Sequence, residues 1–163
     1  MIDRQELGAW LRLLESPRLG RESARRLLAA FGSAQGAIEA TIAARREVVG
    51  DNQAAALTTT TDHVEALVAA TLAWLEAEVP EPRAVITLGD PRYPRALLET
   101  ADPPLLLYAQ GRFELLQADA VAVVGSRNPT PQGAENARAF SSHLSHAGFT
   151  VVSGMALGID AAA

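Results

Sequence analysis

Ala120–Val124 is an uninterrupted apolar run that ends at Gly125, and a polar, proline-broken loop follows it. Next comes an amphipathic stretch, Gln132–Ala147, with Ala134, Ala137, Phe140, Leu144 and Ala147 at helical spacing. Gly148 closes it, and a second apolar run, Phe149–Val152, completes the pattern. A short apolar run without alternation reads as a strand covered on both faces. Two strands joined through a helix by short connections run parallel, with a right-handed crossover. The pattern therefore predicts a parallel βαβ unit. Such a sheet holds its ligands beyond the carboxyl ends of its strands.

The residues ahead of this unit read differently. Residues 1–79 carry helical periodicity. Glu6–Leu14 places Leu7, Trp10, Leu11 and Leu14 on one face before Ser16-Pro17 breaks it. Glu22–Phe31 is a second predicted helix, with Gly32 as its stop. Ala34–Ala44 is a third and Asp51–Leu57 a short fourth. Asp62 suits the N-cap of a long helix to Glu78, whose apolar face is Val64, Leu67, Val68, Leu72 and Leu75. The composition shifts at Val79-Pro80-Glu81-Pro82, which reads as a linker. Ala84–Leu88 and Leu105–Ala109 are strand-like, with a short helix, Arg95–Glu99, between them.

At 163 residues the chain suits one or two domains with a real core. It lacks an apolar run long enough to span a bilayer, and its start, MIDRQELGAW, has no signal-peptide core. It has no cysteine, which excludes disulfides, thiolate metal sites and cysteine catalysis and fits a reducing cytoplasm. The net charge of −5 argues against a generally basic surface but leaves room for a local anion site. All 14 basic residues are arginine, the cation suited to bidentate phosphate contacts, although a compositional bias explains the same count. The chain stops at Gly158-Ile159-Asp160-Ala161-Ala162-Ala163, which reads as the first turn of a helix. Central parallel strands need further strands beside them, so the expectation is a truncated piece of a longer protein.

Two strand ends carry the candidate chemistry. One is Gly125-Ser126-Arg127-Asn128, the other Ser153-Gly154-Met155-Ala156-Leu157-Gly158. Strands joined through one helix are usually neighbours, so the two loops are expected side by side on one rim. Together they offer glycines, two hydroxyls, backbone N–H groups at helix starts and one guanidinium, a set suited to an anion. A dinucleotide loop would have a glycine where Arg127 stands, because the pyrophosphate lies flat against bare backbone. An arginine there suits a phosphate presented from outside, as on a nucleic-acid strand. The bland alternative is two tight turns with Arg127 paired to a nearby acid.

These stretches, Val123-Val124-Gly125-Ser126-Arg127 and Val152 to Ala163, closely resemble the DprA/Smf family of DNA-processing proteins. Leu88-Gly89-Asp90-Pro91-Arg92-Tyr93-Pro94-Arg95-Ala96-Leu97-Leu98, Ala101-Asp102-Pro103-Pro104 and Leu27-Leu28-Ala29-Ala30-Phe31-Gly32-Ser33 look like it too. The resemblance implies an α/β chain. An N-terminal all-helical SAM-like or helix-hairpin-helix-like domain, residues 1–79, precedes the first part of an extended Rossmann-like domain, residues 80–163. It further implies a cytoplasmic protein that binds single-stranded DNA in natural transformation and helps load the RecA recombinase, and that is not an enzyme. The implied DNA- and phosphate-binding residues are Gly125, Ser126, Arg127, Asn128, Ser153, Gly154 and Gly158. The family fold continues past Ala163. The homodimer expected for full-length members, full-strength DNA binding and RecA loading are therefore not carried onto these residues. Gln132 also stands where many members have an aromatic residue before the glycine, which implies weaker stacking.

Other candidates carry less. Ser16-Pro17-Arg18-Leu19-Gly20-Arg21 with Arg25-Arg26 sets four arginines against one glutamate between Ser16 and Leu28. That suits either a hairpin presenting N–H groups to phosphate or a solvated helix face. His143 and His146 could share a metal, but no third ligand is near, and histidines also suit a helix C-terminus. Ser126 and Ser153 lack the glycine-x-serine-x-glycine surroundings of a nucleophile. Asp160 reads as a cap or a support for the anion loop. There is no Walker A loop, so ATP use is not indicated, and no cofactor, metal, catalytic residue or membrane partner is expected from the motifs present. Two rivals remain open: a Rossmann-like nucleotide-binding or nucleotide-hydrolysing enzyme, and a helical interaction domain joined to an inert α/β half.

Overall fold

A computed structural model describes residues 2–58 and 61–163. The chain forms two compact units, one running to Phe113 and the other spanning Glu114–Ala163. No helix among the described residues is long and apolar enough to cross a membrane.

In the first unit, α1 (Arg4–Glu15) starts at Asp3, whose carboxylate accepts from the Glu6 N–H at 2.8 Å. This satisfies one of the free donors of the first turn. α2 (Arg21–Phe31) ends where Gly32 turns left-handed at φ 76° and its N–H reaches the Leu28 carbonyl. The helix predicted over Ala34–Ala44 is two helices, α3 (Ala34–Glu39) and α4 (Ile42–Val49). The chain is extended at Thr41, whose hydroxyl accepts from the Ala44 N–H and restarts the helix in a new direction. Apolar periodicity does not register such a break when alanines recur on both sides of it. After α5 (Asp51–Ala56) comes α6 (Asp62–Glu76). Thr61, not Asp62, is its N-cap, with Asp62 in the first turn where its charge suits the helix dipole. The helix also ends two residues short of Glu78.

α1 is the centre of this unit. Leu7 and Leu11 pack with Val64, Val68 and Val85, while Trp10 and Leu13 join Leu27, Leu57 and Leu105. We expect Leu13→Ala to lower the unit's stability by about 2–5 kcal/mol, read from the denaturant midpoint.

β1 (Arg83–Thr87) and β2 (Leu106–Gln110) pair antiparallel, with Val85 opposite Tyr108. They form a sheet of their own, separate from the parallel pair, and they belong with the helices. Val85 and Leu105 enter the helical core, and the Tyr108 hydroxyl meets the Thr71 hydroxyl of α6 at 2.9 Å. The compositional shift near Pro80 is thus not where the compact units divide. Packing carries the first unit on to Phe113. That contact also explains why Thr71 is buried on α6 while Leu67, Leu72 and Leu75 are only half covered.

Between these strands lie the Gly89–Tyr93 turn and α7 (Arg95–Leu98). Asp90 accepts from the Arg92 side chain at 2.7 and 3.0 Å and from its backbone N–H at 2.8 Å. The Arg92 hydrogen bond holds the Asp90 carboxyl below its ordinary range. This pair stabilises the fold above the unfolded carboxylate pKa, and the contribution is lost as pH falls through the depressed folded value. Asp90→Asn should therefore flatten the acid limb of a stability-versus-pH curve, measured by urea unfolding, and leave its neutral-to-alkaline shape alone.

The second unit contains the predicted βαβ. β3 (Ala120–Ala122) and β4 (Thr150–Val152) are parallel, with Val121 opposite Val151, and α8 (Pro131–His146) connects them. Thr130 caps α8 by accepting from the Gly133 N–H at 3.1 Å, and Pro131 sits at its first position, where no N–H is needed. Chain continuation gives α9 (Ile159–Ala162). The predicted apolar stripe of α8 is covered only in part, through Ala134, Ala137 and Leu144. Ala137 and Ser141 are buried, whereas Phe140 is 66% exposed. A two-stranded sheet under one helix leaves the rest of that stripe uncovered. No group of three or more metal-ligating side chains occurs among the described residues, and His146 Nδ1 lies 2.7 Å from the Ser142 carbonyl.

Candidate functional site

The two strand-end loops lie together, as the βαβ connection requires. Ser153 donates its hydroxyl to the Val123 carbonyl at 2.9 Å, tying the end of β4 to the end of β3. The Ile159 N–H donates to the Ser126 carbonyl at 3.1 Å. The Gly154 N–H donates to the Asp160 carboxylate at 3.1 Å, so Asp160 closes its own loop. Within the first loop, the Ser126 hydroxyl accepts from the Asn128 N–H at 3.1 Å.

The glycines serve this seam. A Cβ at Gly158 would lie 2.2 Å from the Ser126 carbonyl oxygen and 2.7 Å from the Arg127 carbonyl carbon. Its φ of 88° is a second reason for glycine there. At Gly125 a Cβ would meet the Ile159 side chain at 2.7 Å. Both glycines admit the neighbouring loop, a role that sequence spacing could not separate from admitting a phosphate.

The seven predicted residues thus divide by what they present. Gly125, Ser153, Gly154 and Gly158 build the seam. Ser126, Arg127 and Asn128 form its exposed outer turn. Arg127 forms no ion pair or side-chain hydrogen bond among the described residues, so the paired-arginine alternative is not what the fold adopts. The backbone N–H groups of Gly125, Ser126 and Arg127 are likewise without partners among the described residues. The arrangement offers a guanidinium beside consecutive free amides, which suits an anion. The Asp160 carboxylate, by contrast, occupies the Gly154 amide and closes that corner to an anion.

Sequence reasoning missed Met155 and Leu157. Met155, with a left-handed φ of 57°, is 92% exposed, and Leu157 is 76% exposed. They project from the second loop and make its outer surface apolar. Their position between Gly154 and Gly158 was the available signal, because a seam built by the glycines leaves the intervening side chains no room inside.

The helical hairpin is less open. Arg21 and Arg25 both pair with Asp102, at 2.7 and 2.8 Å, and Arg25 also donates to the Pro103 carbonyl at 3.0 Å. Arg26 donates to the Val48 carbonyl. Three of the four arginines there make contacts within the unit, while Arg21 and Arg26 stay exposed. Arg18 keeps an exposed side chain, while its carbonyl accepts from Gln53 at 3.0 Å.

The DprA-like N-terminal HHH domain matches residues 4–66, and the family described as DNA recombination-mediator protein A matches residues 84–163. The chain belongs to the DprA/Smf family. Protein Smf of Synechocystis sp. is 44% identical over 80 residues, covering 47% of this chain and 20% of that protein. The DNA processing protein DprA of Streptococcus pneumoniae is 43% identical over 74 residues, covering 45% of this chain and 26% of its own. The X-ray structure of DprA from Streptococcus pneumoniae superposes with a TM-score of 0.68 at 26% identity, covering 99% of this chain and 52% of that one. The matches thus span about a fifth to a quarter of these curated relatives and about half of the solved chain. The DprA/Smf match agrees with the α/β reading, a helical N-terminal domain followed by short sheets.

Proposed function

We propose that the second unit is the single-stranded-DNA-binding part of a DprA-type recombination mediator. The reading rests on Arg127: an exposed guanidinium on a turn where, among the described residues, neither it nor the neighbouring amides have a partner. One backbone phosphate accepts from the guanidinium fork and from the Ser126 and Arg127 amides. The Ser126 hydroxyl, which already accepts from Asn128, keeps its proton to donate. The apolar Met155 and Leu157 beside it offer a surface for an unstacked base. A duplex holds its bases away from such a surface, and a single strand does not. Binding of this kind is sequence-tolerant and salt-sensitive.

Capture requires no bond to break, and the protein acts as a binder and not as an enzyme. The Ser153 hydroxyl is given to a backbone carbonyl, with no base beside it. By the same family reading, full-length members work in the cytoplasm during transformation, as homodimers that load RecA on the captured strand.

The test is fluorescence anisotropy of a labelled oligothymidine with the folded chain at two salt concentrations. Saturable binding that weakens with salt and exceeds duplex binding supports the reading. Equal affinity for duplex and single strand, or tight binding of a mononucleotide with turnover, would overturn it.

A further inference from the structure

Arg45 of α4 is a buried cation and Arg12 of α1 a half-buried one, and no acid pairs with either among the described residues. Arg45 is only 5% exposed. Neither its Nε nor its Nη1 has a hydrogen-bond partner among the described residues. Arg12 donates from Nη2 to the Leu57 carbonyl at 2.7 Å, but its Nε is also without a partner. Burial and then the Arg12 charge hold the Arg45 pKa below its ordinary value. A guanidinium does not lose its proton near neutral pH, so this is repulsion between two charged groups, with donors left over.

Arg12 also lines a cleft of about 350 Å³, together with Arg4, Gln5 and Glu65. Glu65 is the acid that acts on Arg12, but its carboxylate lies 3.4 Å from Arg4 Nη2. Three arginines against one glutamate leave two positive charges in excess. A lone carboxylate would offset half of that excess, and a phosphate dianion all of it. The uncompensated charge favours an oxyanion with several acceptor atoms, held by the part of the Arg12 guanidinium that lines the cleft.

We propose that this cleft binds a small phosphate-bearing anion, with the Arg12 guanidinium and the Gln5 amide as donors and Arg45 adding charge from outside the lining. This site lies in the first unit and does not depend on the DNA reading. The ligand is a phosphate dianion, either free or on a small organic group, since the cleft exceeds the size of phosphate alone.

The experiment is titration of the full chain with inorganic phosphate and, separately, with adenosine monophosphate. Chloride keeps ionic strength constant, and the thermal midpoint is followed. Both the unaltered chain and an Arg127→Ala background are used, so that capture at the strand-end turn is separated. A bound anion raises the midpoint saturably. We expect this rise in both backgrounds, and at least a tenfold loss of phosphate affinity in Arg12→Gln. A stronger response to the nucleotide than to phosphate assigns an organic phosphate, and the reverse assigns the free anion. No saturable rise, a rise that vanishes with Arg127, or an unchanged response in Arg12→Gln overturns the proposal. Should Arg12→Gln not fold, the Nε–Hε resonances of Arg12 and Arg45 in the unaltered chain decide it. Phosphate shifts them if it binds here, and their constancy rejects the site.

Discussion

Arg127→Ala should weaken oligothymidine binding about ten- to hundredfold, the range expected for a charge-assisted hydrogen bond in binding. The side chain is exposed and has no partner within the protein among the described residues, so its removal leaves no buried group unsatisfied. The denaturant midpoint should therefore stay where it was. This separates a lost contact from a lost fold. The salt dependence carries a second signature. Each phosphate neutralised on a single strand contributes a slope of about −0.7 in log affinity against log salt, so the variant's slope should be shallower by about that amount. Arg127→Lys should restore the slope more than the affinity, because lysine returns the charge but not the fork. An Arg127→Ala variant that binds as tightly as the parent, with the same slope, places the phosphate elsewhere.

Gly158→Ala should have the largest effect on the second unit's structure. The added carbon would fall 2.2 Å from the Ser126 carbonyl oxygen, and it would do so at a φ of 88°. The obstruction is backbone, which cannot swing aside as a side chain can. Relief requires the two loops to part and the Ile159–Ser126 hydrogen bond to break. We expect a loss of roughly 3 kcal/mol or more, typical of strain combined with a clash at a fixed backbone. Gly154→Ala is the matched control. Its Cβ would meet only the Asp160 carboxylate, at 3.0 Å, and that group can turn. Hydrogen exchange at the Ile159 N–H reads both variants. Fast exchange in Gly158→Ala with near-parental protection in Gly154→Ala is the expected pair. Equal protection in the two means that the seam is not what holds the loops. Oligothymidine affinity should follow the protection, since the seam positions the Arg127 turn.

The two strand-end loops were legible from spacing alone because a βαβ connection admits one handedness and makes neighbours of its strands. Helix positions were legible for a similar reason. Caps such as Asp3 and stops such as Gly32 act within one turn of chain, so local residues suffice to place them. The break at Ala40-Thr41 was less visible, because alanines on both sides keep an apolar periodicity through a change of helix direction.

What each residue does in the site was not legible. Gly125 and Gly158 look like room for a phosphate in the sequence, and in the structure each also makes room for the opposite loop. A glycine records that something comes close, never what. The same holds for charge. Arg21, Arg25 and Arg127 are alike as letters, yet two of them meet Asp102 across more than seventy residues and one has no partner among the described residues. Likewise Arg45 looks like a solvated helix cation until packing removes it from water. The sequence by itself determined the elements, their order and the parallel crossover, because these follow from local propensity and chain connectivity. Only the tertiary structure decided which cations stay free, because pairing depends on groups that distant segments bring within a few ångströms.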